Sequence, residues 1–76
     1  MQPEIYVHCR ADHAYPGRPL HVVWEDRTYT VEQLISTWRE PDAYGFRVAA
    51  EGQIFDLAYL PHADRWVLRR VQRSAG

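Results

Sequence analysis

Apolar and polar residues alternate with a period of two over 44–48, 54–59 and 66–71, the signature of strands that bury one face and wet the other. Glu51-Gly52 between the first two stretches reads as a two-residue hairpin turn, with Gly52 supplying the positive φ that such turns demand. Counting outward from it sets Ala50 against Gln53, Val48 against Phe55, Phe46 against Leu57 and Tyr44 against Tyr59 on an apolar face. Arg47 then meets Asp56 on the opposite face. A four-residue loop, Pro61-His62-Ala63-Asp64, sets Tyr59 beside Trp66, Leu57 beside Leu68 and Asp56 beside Arg69, so that Asp56 is expected between two arginines. A slip of one residue would turn Arg69 onto the apolar face opposite Leu57, which is why the pattern selects this register.

Residues 4–9 read as a further strand, with Ile5, Val7 and Cys9 on one face and Tyr6 and His8 on the other. Residues 10–19 read as a loop whose Tyr15-Pro16-Gly17-Arg18-Pro19 core is kept out of regular structure by two prolines and a glycine. A strand over 20–25 returns through a Glu25-Asp26 hairpin to 27–31. Pairing Trp24 with Arg27 puts Leu20, Val22, Trp24, Tyr29 and Val31 on one face and His21, Val23, Thr28 and Thr30 on the other.

Residues 31–39 support two readings. Val31, Leu34, Ile35 and Trp38 fall at helical spacing behind a Thr30/Gln33 capping box, which predicts a two-turn helix ending before Pro41. The same stretch also fits a long bent strand with a bulge, in which Val31, Gln33 and Ile35 alternate against Leu34, Ser36 and Trp38. Intrinsic propensity leans slightly toward the helix. The expected fold is mainly β: a strongly bent five-stranded antiparallel sheet or small open barrel, with a short helix around 31–39 as its variant.

Seventy-six residues make one domain over 1–76, with an ordered core expected at about 4–72, and leave no room for a second core. Three Trp, five Tyr and two Phe provide large side chains for a thin core, which a single Cys9 cannot reinforce with a disulfide. The start of the chain lacks the basic and apolar run of a signal peptide, and no stretch approaches about 18 apolar residues, so the expectation is a cytoplasmic protein with no membrane partner. Ten acids against nine bases place the net charge at −1, short of the basic balance of a generic polyanion binder. All nine bases are arginine, spread along the whole chain as codon bias in a GC-rich genome would spread them.

The run Trp24-Glu25-Asp26-Arg27-Thr28-Tyr29-Thr30-Val31, followed by Trp38-Arg39-Glu40-Pro41, Tyr44-Gly45-Phe46-Arg47-Val48 and Arg65-Trp66-Val67-Leu68-Arg69-Arg70-Val71, resembles a family of small uncharacterised bacterial β-domains. That family follows W-x-G-R-x-Y-x-V, then W-R-x, Y-x-V and a closing G-x-W-x-L, and the resemblance covers about residues 18–72. Similar segments close the C-terminal tails of polymerase-like proteins in bacterial mutagenesis cassettes, which implies a link to DNA damage tolerance. In the family the Trp38 segment continues as a strand, which favours the bent sheet over the helix. Asp26 and Asp64 stand where the family favours glycine, which puts the turn types in question rather than the fold. The family has no established catalytic residues to carry over.

The residues themselves offer little chemistry. His8, Cys9, His13 and His21 are zinc-ligand types, but their spacing lacks two compact pairs, so no metal or other cofactor is expected. Cys9 alternates onto the apolar face, and nothing in the spacing brings a base and Asp12 or Asp64 to it. His62 beside Asp64 reads as turn chemistry, and phosphate loops, carboxylate pairs and nucleophile elbows are missing, so the chain is not read as an enzyme.

Binding is the role that remains. A protein partner or a homodimer is expected to meet an edge strand, the Tyr15 to Pro19 loop with Arg18, or the sheet face where Val23, Val67 and Val71 surround the arginines. The alternative is nucleic acid along a strip of Arg47, Arg65, Arg69, Arg70 and Arg73, with Tyr6 or Tyr15 stacking on bases. Asp56, as the ion-pair centre of that strip, sets how much of its charge is free.

Overall fold

The computed structural model describes residues 5–10 and 17–73, and contains no helix among them. Six strands follow in chain order: β1 (Ile5–Arg10), β2 (Arg18–Trp24), β3 (Arg27–Glu40), β4 (Ala43–Ala50), β5 (Gln53–Leu60) and β6 (Arg65–Arg73). Each pairs antiparallel with its sequence neighbour, so strand order equals chain order. Six strands replace the expected five, because every alternating segment pairs as a strand of its own. The sheet curls into a half-barrel in which β1 and β6 approach one another without becoming hydrogen-bonded partners.

The bend lies in β3. Its first residues pair with β2 (Trp24 with Arg27, Val22 with Tyr29), and the rest pairs with β4, from Val31 opposite Ala50 to Glu40 opposite Ala43. No helix forms at 31–39. The register shifts twice, leaving Glu32 and Ile35 as extra residues without a partner in β4. An antiparallel strand that gains one residue at a bulge bends and twists more strongly there. Inner-side positions in β3 therefore recur every third residue: Val31 lies opposite Ala50, Leu34 opposite Val48 and Thr37, itself exposed, opposite Phe46. That spacing imitates a helix, and it also corrects the face assignment of the bent-strand reading, since Val31 and Leu34 share the inner face while Ile35 stands exposed.

Two carboxylates, Glu32 of β3 and Glu51 of the β4–β5 turn, tie this bend to the neighbouring hairpin. Glu51 Oε2 accepts a 2.7 Å hydrogen bond from the Thr30 amide, and the Glu51 amide donates one of 2.7 Å to Glu32 Oε1. Thr30 is thus tied to the β4–β5 turn and not to a capping box with Gln33.

Two further shifts complete the curl. Leu20 is the extra residue between Pro19, opposite Cys9, and His21, opposite His8, so it turns outward and is 38% exposed, against the inward position expected of it. Arg69 is the extra residue of β6, between Leu68 opposite Leu57 and Arg70 opposite Asp56.

The core lies between the β1–β2–β3 hairpins and the β4–β5–β6 meander. Ile5, Val22 and Tyr29 come from the first, and Phe46, Val48, Ala50, Phe55, Leu57 and Tyr59 from the second. Phe55, Leu57, Val22 and Val48 are fully buried, and each such side chain stabilises by about 1.5–3 kcal/mol. Phe55 packs edge to face with Trp24 and Tyr29 at centroid distances of 5.8 and 5.1 Å, and Trp66 packs on Phe46 and Tyr59 at 5.3 and 5.1 Å. The β4–β5 register is as expected in every pair, from Ala50 with Gln53 to Tyr44 with Tyr59.

The turns use left-handed backbone at Glu25 (φ 51°), Asp26 (φ 61°), Glu51 (φ 48°), Gly52 (φ 81°) and Asp64 (φ 48°). Asp26 and Asp64 thus adopt the conformation for which glycine is the usual residue. The β5–β6 loop is closed by the Ala63 amide on the Leu60 carbonyl (3.2 Å) and by the Tyr59 hydroxyl, which donates to Asp64 Oδ1 at 2.6 Å.

A non-glycine residue in the left-handed region carries a penalty of roughly 1–2 kcal/mol, part of which glycine's greater unfolded-state freedom cancels. Asp26→Gly is therefore expected to stabilise the protein by about 0.5–1 kcal/mol in denaturant unfolding, and a loss of stability would contradict this turn geometry.

Candidate functional site

The outer, convex face of β3 to β6 carries Arg47, Arg65, Arg69 and Arg70, and one tryptophan organises it. Trp38, Gly45, Ala58 and Val67 form a transverse row by register, one from each strand. The two small residues leave room above β4 and β5. The Trp38 indole lies directly over Gly45, so close that a Cβ at position 45 would clash with Cε2, Nε1 and Cζ2 of the ring. Gly45 and Ala58 are buried although they face outward.

Trp38 Nε1 donates to Glu40 Oε2 at 2.7 Å, and Arg69 grips the same carboxylate with NH1 at 2.9 Å and NH2 at 2.8 Å. A clasp from β3 to β6 therefore crosses the outside of β4 and β5. The next row holds a second pair: Arg47 Nε and NH2 donate to Asp56 Oδ1 and Oδ2 at 2.7 and 3.1 Å, the planar fork that suits a carboxylate.

This arrangement corrects the expectation for Asp56. Asp56 binds Arg47 alone, because the β6 bulge places Arg70 opposite it and frees Arg69 to reach Glu40. The same bulge turns Val71 inward against Phe55, so it leaves the arginine face, to which it was assigned. Arg65 and Arg70 stand exposed without a carboxylate partner among the described residues, whereas Arg73, opposite Gln53 in the row of Ala50, has left this face as Val71 has. Arg18 lies at the start of β2 opposite Arg10, outside the β3–β6 face that holds the β6 arginines. Tyr15 and His13 lie outside the described residues.

Trp38, Glu40 and Gly45 escaped the sequence reading as site residues. A glycine in mid-strand is a signal in itself, since it marks a place where something approaches the backbone closely. Only the register shows that the approaching group is Trp38.

Titration behaviour follows the contacts. The hydrogen bond to Asp56, then its charge, hold the Arg47 guanidinium above its ordinary value. The indole N–H of Trp38, and after it the hydrogen bond and charge of Arg69, lower the Glu40 pKa below the usual carboxylate range against the opposing effect of desolvation. Burial pushes the Cys9 thiol up, the reverse of an activated nucleophile. Among the described residues no three His, Cys, Asp or Glu side chains converge on one point, and no helix is long and apolar enough to cross a membrane. A depression of 280 Å³ opens at the seam between β1 and β6, lined by Ile5, Tyr6, Asp64, Arg65 and Trp66.

No protein-family model, curated protein or solved structure matches the chain.

Two outcomes test this face. Gly45→Ala is expected to evict the Trp38 indole and destabilise by about 2 kcal/mol or more, with a red shift in tryptophan emission; wild-type stability would contradict the packing. Because the Glu40 pKa is lowered on folding, its contribution is present above the unfolded-state value and is lost as pH falls through the folded-state value. The Trp38 indole N–H resonance should thus hold steady down to the ordinary carboxylate range and shift below it, and Glu40→Gln should abolish that transition. A resonance indifferent to acid would contradict the clasp.

Proposed function

We propose that this chain is a non-catalytic recognition module whose outer β3–β6 face docks a protein partner. The observation that carries the reading is the make-up of that face: an indole seated on Gly45 and held in place by Glu40, beside two arginines fixed by carboxylates. Trp and Arg, ordered before the partner arrives, are the residue types that dominate binding energy at protein interfaces. A phosphate backbone calls instead for unpaired cations, and Arg47 and Arg69 are already engaged.

Arg65 and Arg70 remain to recognise charge, so the matching segment presents an apolar group to the indole and carboxylates beside it. Two copies apposed through this face would oppose their own arginines, which favours a different chain as partner. The resemblance to the tails of polymerase-like proteins makes bacterial, cytoplasmic proteins of DNA damage tolerance the first partners to try.

Arg70→Glu tests the charge requirement without entering the clasp. Affinity capture with the wild-type chain is expected to retain a defined partner that Arg70→Glu loses and His62→Ala keeps. Saturable, salt-sensitive binding of single-stranded DNA that Arg70→Glu abolishes would overturn the protein reading in favour of nucleic acid.

A further inference from the structure

The β1–β2 hairpin brings together two residues that are thirteen apart in sequence, His8 and His21, which are directly paired across the strands. Their rings stand edge to face with centroids 6.3 Å apart and an interplanar angle of 80°. Both project from the outer surface, His8 exposed and His21 partly so, while Ile5, Val7 and Cys9 turn to the other side of β1. Compact ligand spacing along the chain is absent here. The antiparallel register supplies it instead.

We propose that His8 and His21 form a two-imidazole chelate for a borderline transition-metal ion such as Zn²⁺. Two imidazoles on one tetrahedral ion, each with a metal–nitrogen bond of about 2.0–2.1 Å, hold their centroids roughly 5 Å apart, so rotating the two rings toward each other from 6.3 Å brings a nitrogen of each onto a common ion. Imidazole suits zinc, copper and nickel, whereas calcium and magnesium demand oxygen ligands that this patch lacks. The strands hold the two rings in register before the ion arrives, which reduces the ordering that chelation requires. No third His, Cys, Asp or Glu among the described residues joins the pair, so water or a ligand's donor atom completes the shell. Arg10 and Arg18, paired two steps beyond His8 and His21, raise the local positive potential and weaken the attraction of a cation to the pair. This site lies on the opposite half of the sheet from the Trp38 face and is independent of it.

Titration of the full chain with Zn²⁺ in a non-chelating buffer, followed by calorimetry and by the ¹H–¹⁵N correlations of the histidine rings, tests the assignment. One saturable Zn²⁺ per chain is expected, with His8 and His21 ring nitrogens shifting together. His8→Ala and His21→Ala should each weaken binding by roughly tenfold or more while keeping the wild-type fold by circular dichroism, and His62→Ala and Cys9→Ser should bind as the wild type does. Undiminished binding by the His8→Ala, His21→Ala double variant, equal loss in His62→Ala or Cys9→Ser, or no saturable binding at all would overturn the proposal.

Discussion

The contact of the Trp38 indole with the bare backbone of Gly45 governs how the second half of this sheet is built. A side chain of that size on the convex face has nowhere to pack unless the strands beneath it are cleared, and Gly45 and Ala58 clear them. Once seated, the indole covers backbone that glycine would leave open to water, and its N–H fixes Glu40 for Arg69. Local sequence, packing and electrostatics thus meet in one row of residues across four strands. The sheet is consequently packed on both faces in its middle, with the aromatic core inside and one tryptophan outside.

Curvature comes from a different source. Four extra residues, Leu20, Glu32, Ile35 and Arg69, interrupt the ladders, and all four are exposed. Each restores the inward phase of the residues after it, so the core face stays continuous while the strand bends. These bulges also explain which parts of the fold were legible in advance. Between β4 and β5 the period of two is unbroken, a two-residue turn sets the phase, and the register could be counted pair by pair. In β3 two bulges within six residues convert that period to three, which pattern alone cannot tell from a helix. In β6 a single unpaired residue displaced every later partner by one, moving Arg69 from Asp56 to Glu40 and Val71 from the outer face to the core.

The candidate surface was legible to the same degree. Arg47, Arg65 and Arg69 could be assigned to one face from alternation, and Arg47 to Asp56 from register, whereas Arg70 reaches that face only through the β6 bulge. The clasp could not, because Trp38 and Glu40 lay in the segment whose period was disguised, and Arg69 was freed by a bulge with no local marker. Their consequence for function is electrostatic. Two arginines that pattern assigns to a basic strip are neutralised by carboxylates on the same face, which leaves a surface of fixed geometry and modest charge. Such a surface suits recognition of a folded or extended protein segment better than capture of a phosphate chain.

β3 runs unbroken to Glu40 with Trp38 laid over Gly45, and proton–proton NOE spectroscopy of the labelled protein tests this directly. Cross-peaks from the Trp38 indole ring to the Gly45 α-protons, together with cross-strand contacts of Val31 with Ala50 and Leu34 with Val48, are predicted. A continuous run of sequential amide–amide contacts over 31–39 without those cross-peaks would contradict it.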